Sequence, residues 1–307
     1  MTPLARPDSP LPLRRRTPHM LSSLIAGLRP RQWVKNILVI AAPLAAGILL
    51  EPPVLLRVVI AFVVMCLASS AIYLLNDLLD VEADRAHPKK RFRPIASGRL
   101  PVPLAWAAFV VLVILAPVLA LVYATFGFFT IVVLYIALQV SYCVWLKHVV
   151  VLDLVIVSSG FLIRAVAGGL ATDVTPSQWF LLVTAFGSLF MVAGKRYSEK
   201  RQLEGSSETR RSLAAYSPGY LRFVWQTAAG VALVAYTLWA FELSAPDSAV
   251  AWTTISIIPF AVALLRYAYE IDRAEAGSPE DTVLGDKPLL VLGLLWVLTF
   301  SLSVVVR

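Results

Sequence analysis

Apolar stretches close to the length of a membrane crossing recur along the whole chain. We predict nine of them, at residues 37–52, 54–75, 104–122, 126–146, 149–170, 178–194, 221–243, 249–269 and 288–306. A helix needs about 20 predominantly apolar residues to cross a bilayer, since each residue adds about 1.5 Å to its length. Pro43 interrupts the first stretch, which is therefore the weakest. The pattern predicts an all-α, polytopic membrane protein with nine transmembrane helices.

The polar residues between these stretches are divided unequally between the two sides of the membrane. Short loops at 51–53, 123–125, 171–177 and 244–248 alternate with long, charged ones. All but three of the 27 Lys and Arg residues fall on the side of the long loops, the exceptions being Arg57, Arg164 and Arg307. Cytoplasmic loops carry the excess of positive charge. We therefore expect a multi-pass inner (plasma) membrane protein with a cytoplasmic N-terminus and a C-terminus outside.

The composition excludes most soluble classes of protein. Hydrophobic residues make up 59% of the 307 residues, charged residues make up 15%, and the mean hydropathy is +0.77. Soluble domains contain about 45–50% apolar and about 25% charged residues. The net charge of +8 follows from the asymmetry of the loops, so no nucleic-acid partner is expected. Residues 1–28 are predicted to form a disordered basic tail, and residues 29–307 a single transmembrane domain.

An acidic sequence continues directly from the second apolar stretch and contains Asp77, Asp80 and Asp84. Their spacing of three and four residues places them on one face of a helix, which turns by about 100° per residue. Three carboxylates on one face repel one another unless a positive charge neutralises them. Mg²⁺ bound to a substrate diphosphate is one candidate, because Mg²⁺ prefers one or two carboxylates together with phosphate oxygens. The alternative is a solvated helix end paired with nearby basic residues.

Basic residues flank this acidic sequence. Arg91 and Arg93 lie close after the aspartates and are candidates to bind phosphate oxygens. The neighbouring basic residues at 89, 90 and 99 are better explained as charges that set the topology. A further basic segment precedes the first apolar stretch, with Lys35 and Asn36 at the cytoplasmic entrance of that stretch.

One arginine, Arg164, lies inside the fifth apolar stretch. A charge there costs at least ~2.5 kcal/mol on insertion scales, so we expect Arg164 to face a polar cavity. Its anionic partner is expected to be either a bound phosphate or an acidic residue of another helix. Asp153 shares nearly the same helix face, but it lies ~16 Å away along the axis and cannot pair with Arg164 directly.

The run NDLLDVEADRAHPKKRFRPIASG, at residues 76–98, resembles the first aspartate-rich motif of the UbiA superfamily of intramembrane prenyltransferases. That motif is NDxxDxxxD followed by RPxxSG, and the topology with two cytoplasmic motif loops is similar as well. The resemblance implies a UbiA-type helical bundle with its active site on the cytoplasmic side. It also implies Mg²⁺ as the cofactor, with Asp77, Asp80 and Asp84 as metal-binding and catalytic residues and Asn76 as a substrate-binding residue.

The second motif of the superfamily is altered in this chain. Typical members carry a second aspartate-rich motif, DxxxD, after the sixth span. The corresponding segment here is GKRYSEKR, at residues 194–201, with four positive charges and one carboxylate, Glu199. A second Mg²⁺ held mainly by carboxylates is therefore not expected. The segment instead predicts a site that accepts additional phosphate on the substrates.

These features together resemble one branch of the superfamily. The segment RPRQWVKN at residues 29–36, the first motif, the intramembrane arginine and GKRYSE are similar to the branch that transfers 5-phosphoribosyl from 5-phosphoribosyl-1-diphosphate to decaprenyl phosphate. In that branch the product is a precursor of the arabinose donor for cell-wall arabinan. The resemblance implies a decaprenyl or similar polyprenyl phosphate as acceptor and diphosphate as leaving group. The expected substrate-binding residues are Lys35, Asn36, Asn76, Arg91, Arg93, Arg164, Lys195, Tyr197 and Glu199.

Two other functions compete with this one. The first is transfer of a prenyl group from prenyl diphosphate to an aromatic acceptor, against which the missing second aspartate motif argues. The second is a transporter or ion pathway that uses Arg164 and Asp153. The clustering of polar residues at one membrane face argues against a pathway through the membrane. The polyprenyl chain length and the oligomeric state stay open, a homo-oligomer in the lipid membrane included.

Overall fold

The computed structural model describes residues 20–202, 215–244 and 250–305, and the regular structure in these ranges is helical. The first half contains α1 (Met20–Leu28), α2 (Ala41–Ala45), α3 (Pro52–Leu79), α4 (Val81–Ala86), α5 (Val102–Tyr123) and α6 (Phe126–Val144). The second half contains α7 (Leu152–Thr172), α8 (Gln178–Gln202), α9 (Pro218–Leu243), α10 (Trp252–Asp272), α11 (Pro279–Gly285) and α12 (Lys287–Val305). Short 3₁₀ helices lie at Pro30–Ile40, Lys90–Phe92 and Leu146–His148.

Seven helices of the described ranges are long and apolar enough to cross a membrane, namely α3 and α5 to α10. They coincide with the second to eighth predicted stretches. The last helix, α12, covers the ninth stretch and contains a shorter apolar segment, Lys287–Ser303. The prediction of an all-α, polytopic chain is confirmed, whereas the count of nine spans stays a prediction.

The first predicted stretch, residues 37–52, is not one continuous helix. Its beginning belongs to the 3₁₀ helix Pro30–Ile40, and α2 follows for only five residues. Gly47 then takes a left-handed φ of 79°, which is a conformation that ends helices, and α3 begins at Pro52. Pro43 lies within α2, where it removes a backbone donor, so the α-helical part of this stretch stays short.

The predicted N-terminal tail also divides in two. Residues 1–19 lie outside the described residues. Residues 20–28 form α1 instead of a tail, because Leu24 and Leu28 pack against an apolar cluster that includes Leu74 of α3 and Leu100. This contact places the start of the 3₁₀ helix beside the end of α3.

Two of the apolar clusters join the long helices of the bundle. In the first, α3 packs against α5, α6 and α7, with Met65 and Phe128 fully buried between them. In the second, α8 packs against α9 and α10, where the Phe190 ring meets those of Trp225 and Tyr267 edge to face. Helix α7 contacts both α6 and α8 and so joins the two cores. The polar ends of α3, α6, α7 and α8 consequently lie near one another.

A glycine allows the 3₁₀ helix to lie directly against α7. A Cβ atom at Gly168 would stand only 1.8 Å from the Val39 carbonyl oxygen. Only a residue without a side chain permits this approach of the two backbones. The contact fixes the 3₁₀ helix, and with it Asn36 and Lys35, against the middle of the bundle.

Candidate active site

Asp77 and Asp84 lie around a single arginine. Arg93 Nη1 donates to Asp77 Oδ1 at 3.1 Å and to Asp84 Oδ2 at 2.6 Å. Both carboxylates are only 2% exposed, and a buried carboxylate is costly unless it is paired with a positive charge. Lys90 Nζ adds a second positive charge, 3.9 Å from Asp84 Oδ1. The loop after the aspartates therefore folds back onto them. This agrees with the sequence motif, in which RPxxSG follows the acidic residues.

Asp80 has a different partner. Lys147 Nζ, from the 3₁₀ helix between α6 and α7, donates to Asp80 Oδ1 at 2.7 Å. Asp77 lies in α3 and Asp84 in α4, and Asp80 lies at the break between these helices, with φ −96° and ψ 9°. Asp77 and Asp84 both contact Arg93, whereas Asp80 contacts Lys147. The sequence predicts that the three aspartates share one face of a helix. In the structure, Asp80 is separate from Asp77 and Asp84.

A second arginine on the first motif was not among the predicted site residues. Arg29 Nη2 donates to Asp77 Oδ1, and its guanidinium lies over the Tyr73 ring, 5.1 Å from the centroid. Arg29 has φ 54° and ψ 61°, a left-handed backbone that is strained in front of Pro30. Strain of this kind persists where the surrounding structure imposes it. No spacing rule could have paired Arg29 with an aspartate 48 positions away.

The altered second motif forms its own cluster at the start of α7. Arg196 Nη2 lies 3.5 Å from Asp153 Oδ2, and Arg196 Nη1 lies 4.0 Å from Glu199 Oε2. Lys195 Nζ is 3.9 Å from Glu199 Oε1. The single carboxylate of the motif is thus surrounded by cations, and the buried Asp153 of α7 supplies a second one. The sequence gives no sign of the contact between Asp153 and Arg196, which are 43 positions apart in the chain.

Tyr216 completes this second cluster. Its hydroxyl donates to Asp153 Oδ1 and accepts from the Val151 N–H at 2.7 Å. Burial, together with the hydrogen bond to Asp153, raises the pKa of Tyr216, so its hydroxyl remains a proton donor at neutral pH. Val151 has φ 72°, which is unusual for a β-branched residue and marks a constrained start of α7.

A cavity lies at the start of α7. It has a volume of about 210 Å³ and is lined by Lys147, His148, Val149, Val150, Asp153, Ala215 and Tyr216. Two of these residues contact the motifs, since Lys147 binds Asp80 and Asp153 lies 3.5 Å from Arg196. Another cavity, of about 490 Å³, lies beyond Glu199 and is lined by Gln202, Glu275, Gly277, Ser278, Asp281 and Thr282.

Arg164 has neutral partners among the described residues, so the expected acidic residue of another helix is not found, and the expected bound phosphate stays a prediction. Its guanidinium donates to Asn36 Oδ1 at 2.7 Å, to the Gly160 carbonyl at 2.6 Å and to the Tyr135 hydroxyl at 2.9 Å. No carboxylate of the described residues pairs with it. Asn36 is fully buried, and its amide also donates to Cys66 Sγ and Ser69 Oγ, both at 3.2 Å. Arg164 and Asn36 are both predicted to bind substrate. In the structure, their hydrogen bonds connect α7, α6, the 3₁₀ helix and α3 inside the bundle.

Other predicted residues also lie away from the aspartates. The Tyr197 ring is fully buried against Trp225, and its hydroxyl accepts from Arg222 Nη2 at 2.7 Å. The Arg91 guanidinium stacks on Phe92, 4.9 Å from the ring centroid, and forms no ion pair with a carboxylate in the described part of the chain. Helix periodicity gives the direction of a side chain only approximately. The spacing of Tyr197 and Arg91 in the sequence therefore does not predict that their side chains lie away from the aspartates.

Two further predicted residues lie beside the site. Asn76 Oδ1 faces Cys143 Sγ of α6 at 3.9 Å, and Asn76 is half-buried next to Asp77. Lys35 lies in the 3₁₀ helix directly before Asn36 and is partly buried. Asn76 therefore lies on α3 beside Asp77, and Lys35 lies on the 3₁₀ helix beside Asn36.

The first motif fits a metal ion in part. Asp77 and Asp84 converge on one point, now occupied by Arg93, and Mg²⁺ needs only one or two carboxylates when phosphate oxygens complete its shell. No group of three His, Cys, Asp or Glu side chains in the described ranges is placed to hold a metal ion. Asp77 and Asp84 share Arg93 while Asp80 pairs with Lys147, and the assignment of all three aspartates as metal ligands stays a prediction.

Comparison with known proteins defines the class to which this site belongs. A sequence model of the UbiA prenyltransferase family matches residues 37–304. The chain belongs to this family and is a multi-pass membrane protein and a transferase. Its fold is similar to that of a UbiA homolog from Archaeoglobus fulgidus bound to DMAPP and Mg²⁺, with a TM-score of 0.70 and 13% sequence identity. That likeness covers 92% of this chain and 98% of the other.

Among characterised relatives, the chain is similar to decaprenyl-phosphate phosphoribosyltransferases. It is 49% identical to the enzyme of Corynebacterium glutamicum, over 93% of this chain and 88% of that protein. It is also 49% identical to the enzyme of Mycolicibacterium smegmatis, over 93% of each chain. The branch of the family that the sequence resembles is therefore confirmed.

Proposed function

We propose that this protein transfers 5-phosphoribosyl from 5-phosphoribosyl-1-diphosphate to decaprenyl phosphate, or a similar polyprenyl phosphate, with release of diphosphate. The observation that carries the proposal is the 49% identity to decaprenyl-phosphate phosphoribosyltransferases over nearly the whole chain. The product would be a precursor for cell-wall arabinan. We place the site at the cytoplasmic face of the inner membrane, with the N-terminus inside and the C-terminus outside.

The charges of the two motifs support a reaction between phosphate-rich substrates. Arg29, Arg93 and Lys90 surround the first motif, and Lys195 and Arg196 surround the only carboxylate of the second. Binding of phosphates to cations is favourable because charge-assisted hydrogen bonds are roughly twice as strong as neutral ones. A prenyl diphosphate with an uncharged acceptor would need fewer cations than this site provides.

Asp77 and Asp84 would hold the donor through Mg²⁺. Bound there, Mg²⁺ would neutralise charge on the diphosphate and make it a better leaving group. Arg93 and Arg29 already contact these carboxylates, so they are placed to bind diphosphate oxygens beside the metal. Lys147 provides a further cation where the first motif meets the cavity.

The chemical step follows from these contacts. The bond between ribose C1 and the diphosphate oxygen breaks, the diphosphate leaves with the electron pair, and positive charge develops on the ribose. A phosphate oxygen of the lipid then forms the new bond to C1 from the opposite face and inverts that carbon. Since the lipid phosphate is ionised at neutral pH, no residue of the chain has to remove a proton. The residues act by binding and by electrostatic stabilisation.

Purified full-length protein in detergent would be incubated with radiolabelled 5-phosphoribosyl-1-diphosphate, decaprenyl phosphate and Mg²⁺. We expect a radiolabelled polar lipid on thin-layer chromatography, and none after addition of EDTA. Parallel reactions would offer prenyl diphosphate with aromatic acceptors. Turnover in those reactions alone would reject phosphoribosyl transfer and leave the family assignment intact.

A further inference from the structure

Helix α1 presents an apolar face away from the bundle. Leu24 and Leu28 pack on the apolar cluster at the ends of α3 and α5, whereas Met20, Leu21 and Ile25 are exposed. Leu21 and Ile25 are four residues apart, so they lie on one face of the helix, and Leu21 is 67% exposed. The sequence of α1, MLSSLIAGL, contains no charged residue. Adjoining exposed apolar side chains of this kind mark a surface that a partner or a membrane covers.

The 3₁₀ helix Pro30–Ile40 follows α1 and also has an exposed face. A 3₁₀ helix has three residues per turn, so Arg31, Val34 and Ile37 lie one above the other. All three are exposed. This face therefore begins with a guanidinium group and continues with two aliphatic side chains. That order matches a phospholipid, in which a charged headgroup precedes the acyl chains.

The position of α1 in the bundle corresponds to the level of the lipid headgroups. The apolar cluster that α1 joins includes Ala105, and the next residue, Trp106, is 40% exposed in the second turn of α5. Exposed tryptophan side chains are enriched at the boundary between headgroups and acyl chains. The exposed face of α1 thus lies beside the lipid-facing surface of a membrane-crossing helix, at the end of α3 that carries the first motif.

The charge of this part of the chain favours an anionic lipid. Three arginines, Arg14, Arg15 and Arg16, precede α1 in the sequence, and residues 20–40 contain three cations and no acidic residue. Four residues span at most about 14 Å, so the charge of Arg16 stays close to the start of α1. Clusters of Lys and Arg beside an interfacial helix attract anionic headgroups. A zwitterionic lipid would match the apolar side chains but not this excess of positive charge.

We propose that α1 and the exposed face of the 3₁₀ helix dock on anionic phospholipids at the membrane face that carries the two motifs. The side chains of Leu21, Ile25, Val34 and Ile37 contact acyl chains, and Arg31 binds the phosphate of a headgroup. Helix α1 therefore lies along the membrane surface. Arg29 joins the two docked segments and donates to Asp77, so the lipid holds the same segments that bring this arginine to the first motif.

The test identifies the lipids beside α1 in purified full-length protein. Ile25→Cys would be labelled with a fluorophore, which is selective because Cys66 and Cys143 are buried. The protein would be placed in vesicles of equal parts phosphatidylglycerol and phosphatidylcholine, with a nitroxide on the acyl chains of one lipid or of the other. The anionic nitroxide lipid should quench the label at least about twofold more efficiently than the zwitterionic one. A label at Leu50→Cys, exposed just before the opposite end of α3, should show no preference.

Two further variants, made in the labelled Ile25→Cys protein, separate charge from apolar contact. Arg31→Gln should bring the ratio of the two quenching efficiencies closer to one, and Leu21→Gln should lower quenching by both lipids. Arg57→Gln is the matched control, because Arg57 is exposed at the opposite end of α3, and it should leave the ratio unchanged.

Each contrary outcome overturns a defined part of the proposal. Equal quenching by the two lipids at Ile25→Cys would reject the preference for anionic lipid. An unchanged ratio in Arg31→Gln would reject this arginine as the headgroup ligand. Absence of quenching by either lipid would show that water or another protein surface covers α1, and would reject docking on the membrane altogether.

Discussion

The Lys147 ammonium group lies 2.7 Å from the Asp80 carboxylate, although the two residues are 67 positions apart in the chain. This contact joins the end of α3 to the connection between α6 and α7. It also places a cation at the cavity that Asp153 helps to line.

Replacement of Lys147 by Gln should lower phosphoribosyl transfer by about tenfold or more, because a charge-assisted bond contributes about 1.5–3 kcal/mol. Initial rates at saturating and at low donor concentration would show whether binding or turnover is lost. Lys89→Gln is the control, since Lys89 is exposed and lies in the basic loop that follows α4. Equal activity of the two variants would contradict a role for Lys147 at the site.

Replacement of Arg93 by Gln should also reduce activity by about tenfold or more, because Asp77 and Asp84 would lose the guanidinium that bridges them. The loss should appear together with a changed dependence of the rate on Mg²⁺ concentration. Arg99→Gln serves as the control, because Arg99 is exposed and contacts the Phe92 carbonyl. An unchanged Mg²⁺ dependence in Arg93→Gln would separate this arginine from the metal site.

Replacement of Arg164 by Met should destabilise the protein more than it changes the KM of the donor. Three buried neutral groups would lose their donor, and each bond to a charged group contributes about 1.5–3 kcal/mol. Thermal unfolding in detergent gives the stability. Arg57→Met is the control, since the Arg57–Asp173 pair is exposed and contributes at most about 1 kcal/mol. A large rise in KM with unchanged unfolding would instead indicate a bound phosphate.

Replacement of Gly168 by Ala should disrupt folding, because the new Cβ would overlap the Val39 carbonyl oxygen. Gly230→Ala is a matched control in helix α9, where nothing lies within 4 Å of the added atom. In the control, Ala should be neutral or stabilise the helix by up to about 1 kcal/mol. Yield of monodisperse protein and the unfolding temperature would distinguish the two variants. Similar behaviour of both would refute the close approach of the 3₁₀ helix to α7.

Stability at acidic pH should depend on Asp286. Hydrogen bonds from Arg266 lower the pKa of Asp286 from its ordinary value of 3.8. A carboxyl whose pKa is lower in the folded state stabilises the fold above its unfolded pKa, and this contribution is lost as the pH falls through the folded pKa. The unfolding temperature should therefore decline more steeply below about pH 4 in the wild type than in Asp286→Asn. Parallel curves would contradict the prediction.

The sequence predicts the fold well where its signal is long and apolar. Seven described helices coincide with predicted stretches, since about 20 apolar residues leave few alternatives to a membrane helix. The prediction is weaker at residues 37–52, where Pro43 and Gly47 divide the segment. Residues 20–28 are assigned to the tail because the residues before His19 are rich in Pro and Arg, although in the structure residues 20–28 form α1 and pack against α3.

The candidate site could be predicted only where its residues are close in sequence. The acidic motif was recognised from spacing, but the pairing of Asp80 with Lys147 and of Asp77 with Arg29 depends on tertiary structure. Arg164 illustrates a different case. Its charge predicts an anionic partner, but the sequence gives no sign of the amide, carbonyl and hydroxyl oxygens that accept hydrogen bonds from it in the structure. A sequence shows the charge of a buried residue but not the neutral groups that surround it.

The connection between α6 and α7, residues 145–151, sets a length that the chain cannot change freely. It contains a 3₁₀ turn and ends at Val151 with a positive φ, so its backbone is constrained along most of its length. Deletion of one residue would shift Lys147 by up to about 3.3–3.6 Å, more than the length of its bond to Asp80. Surface loops usually tolerate insertions and deletions, but here the number of residues is itself part of the site. Tags and labels therefore belong elsewhere, and relatives that share this chemistry should share this spacing.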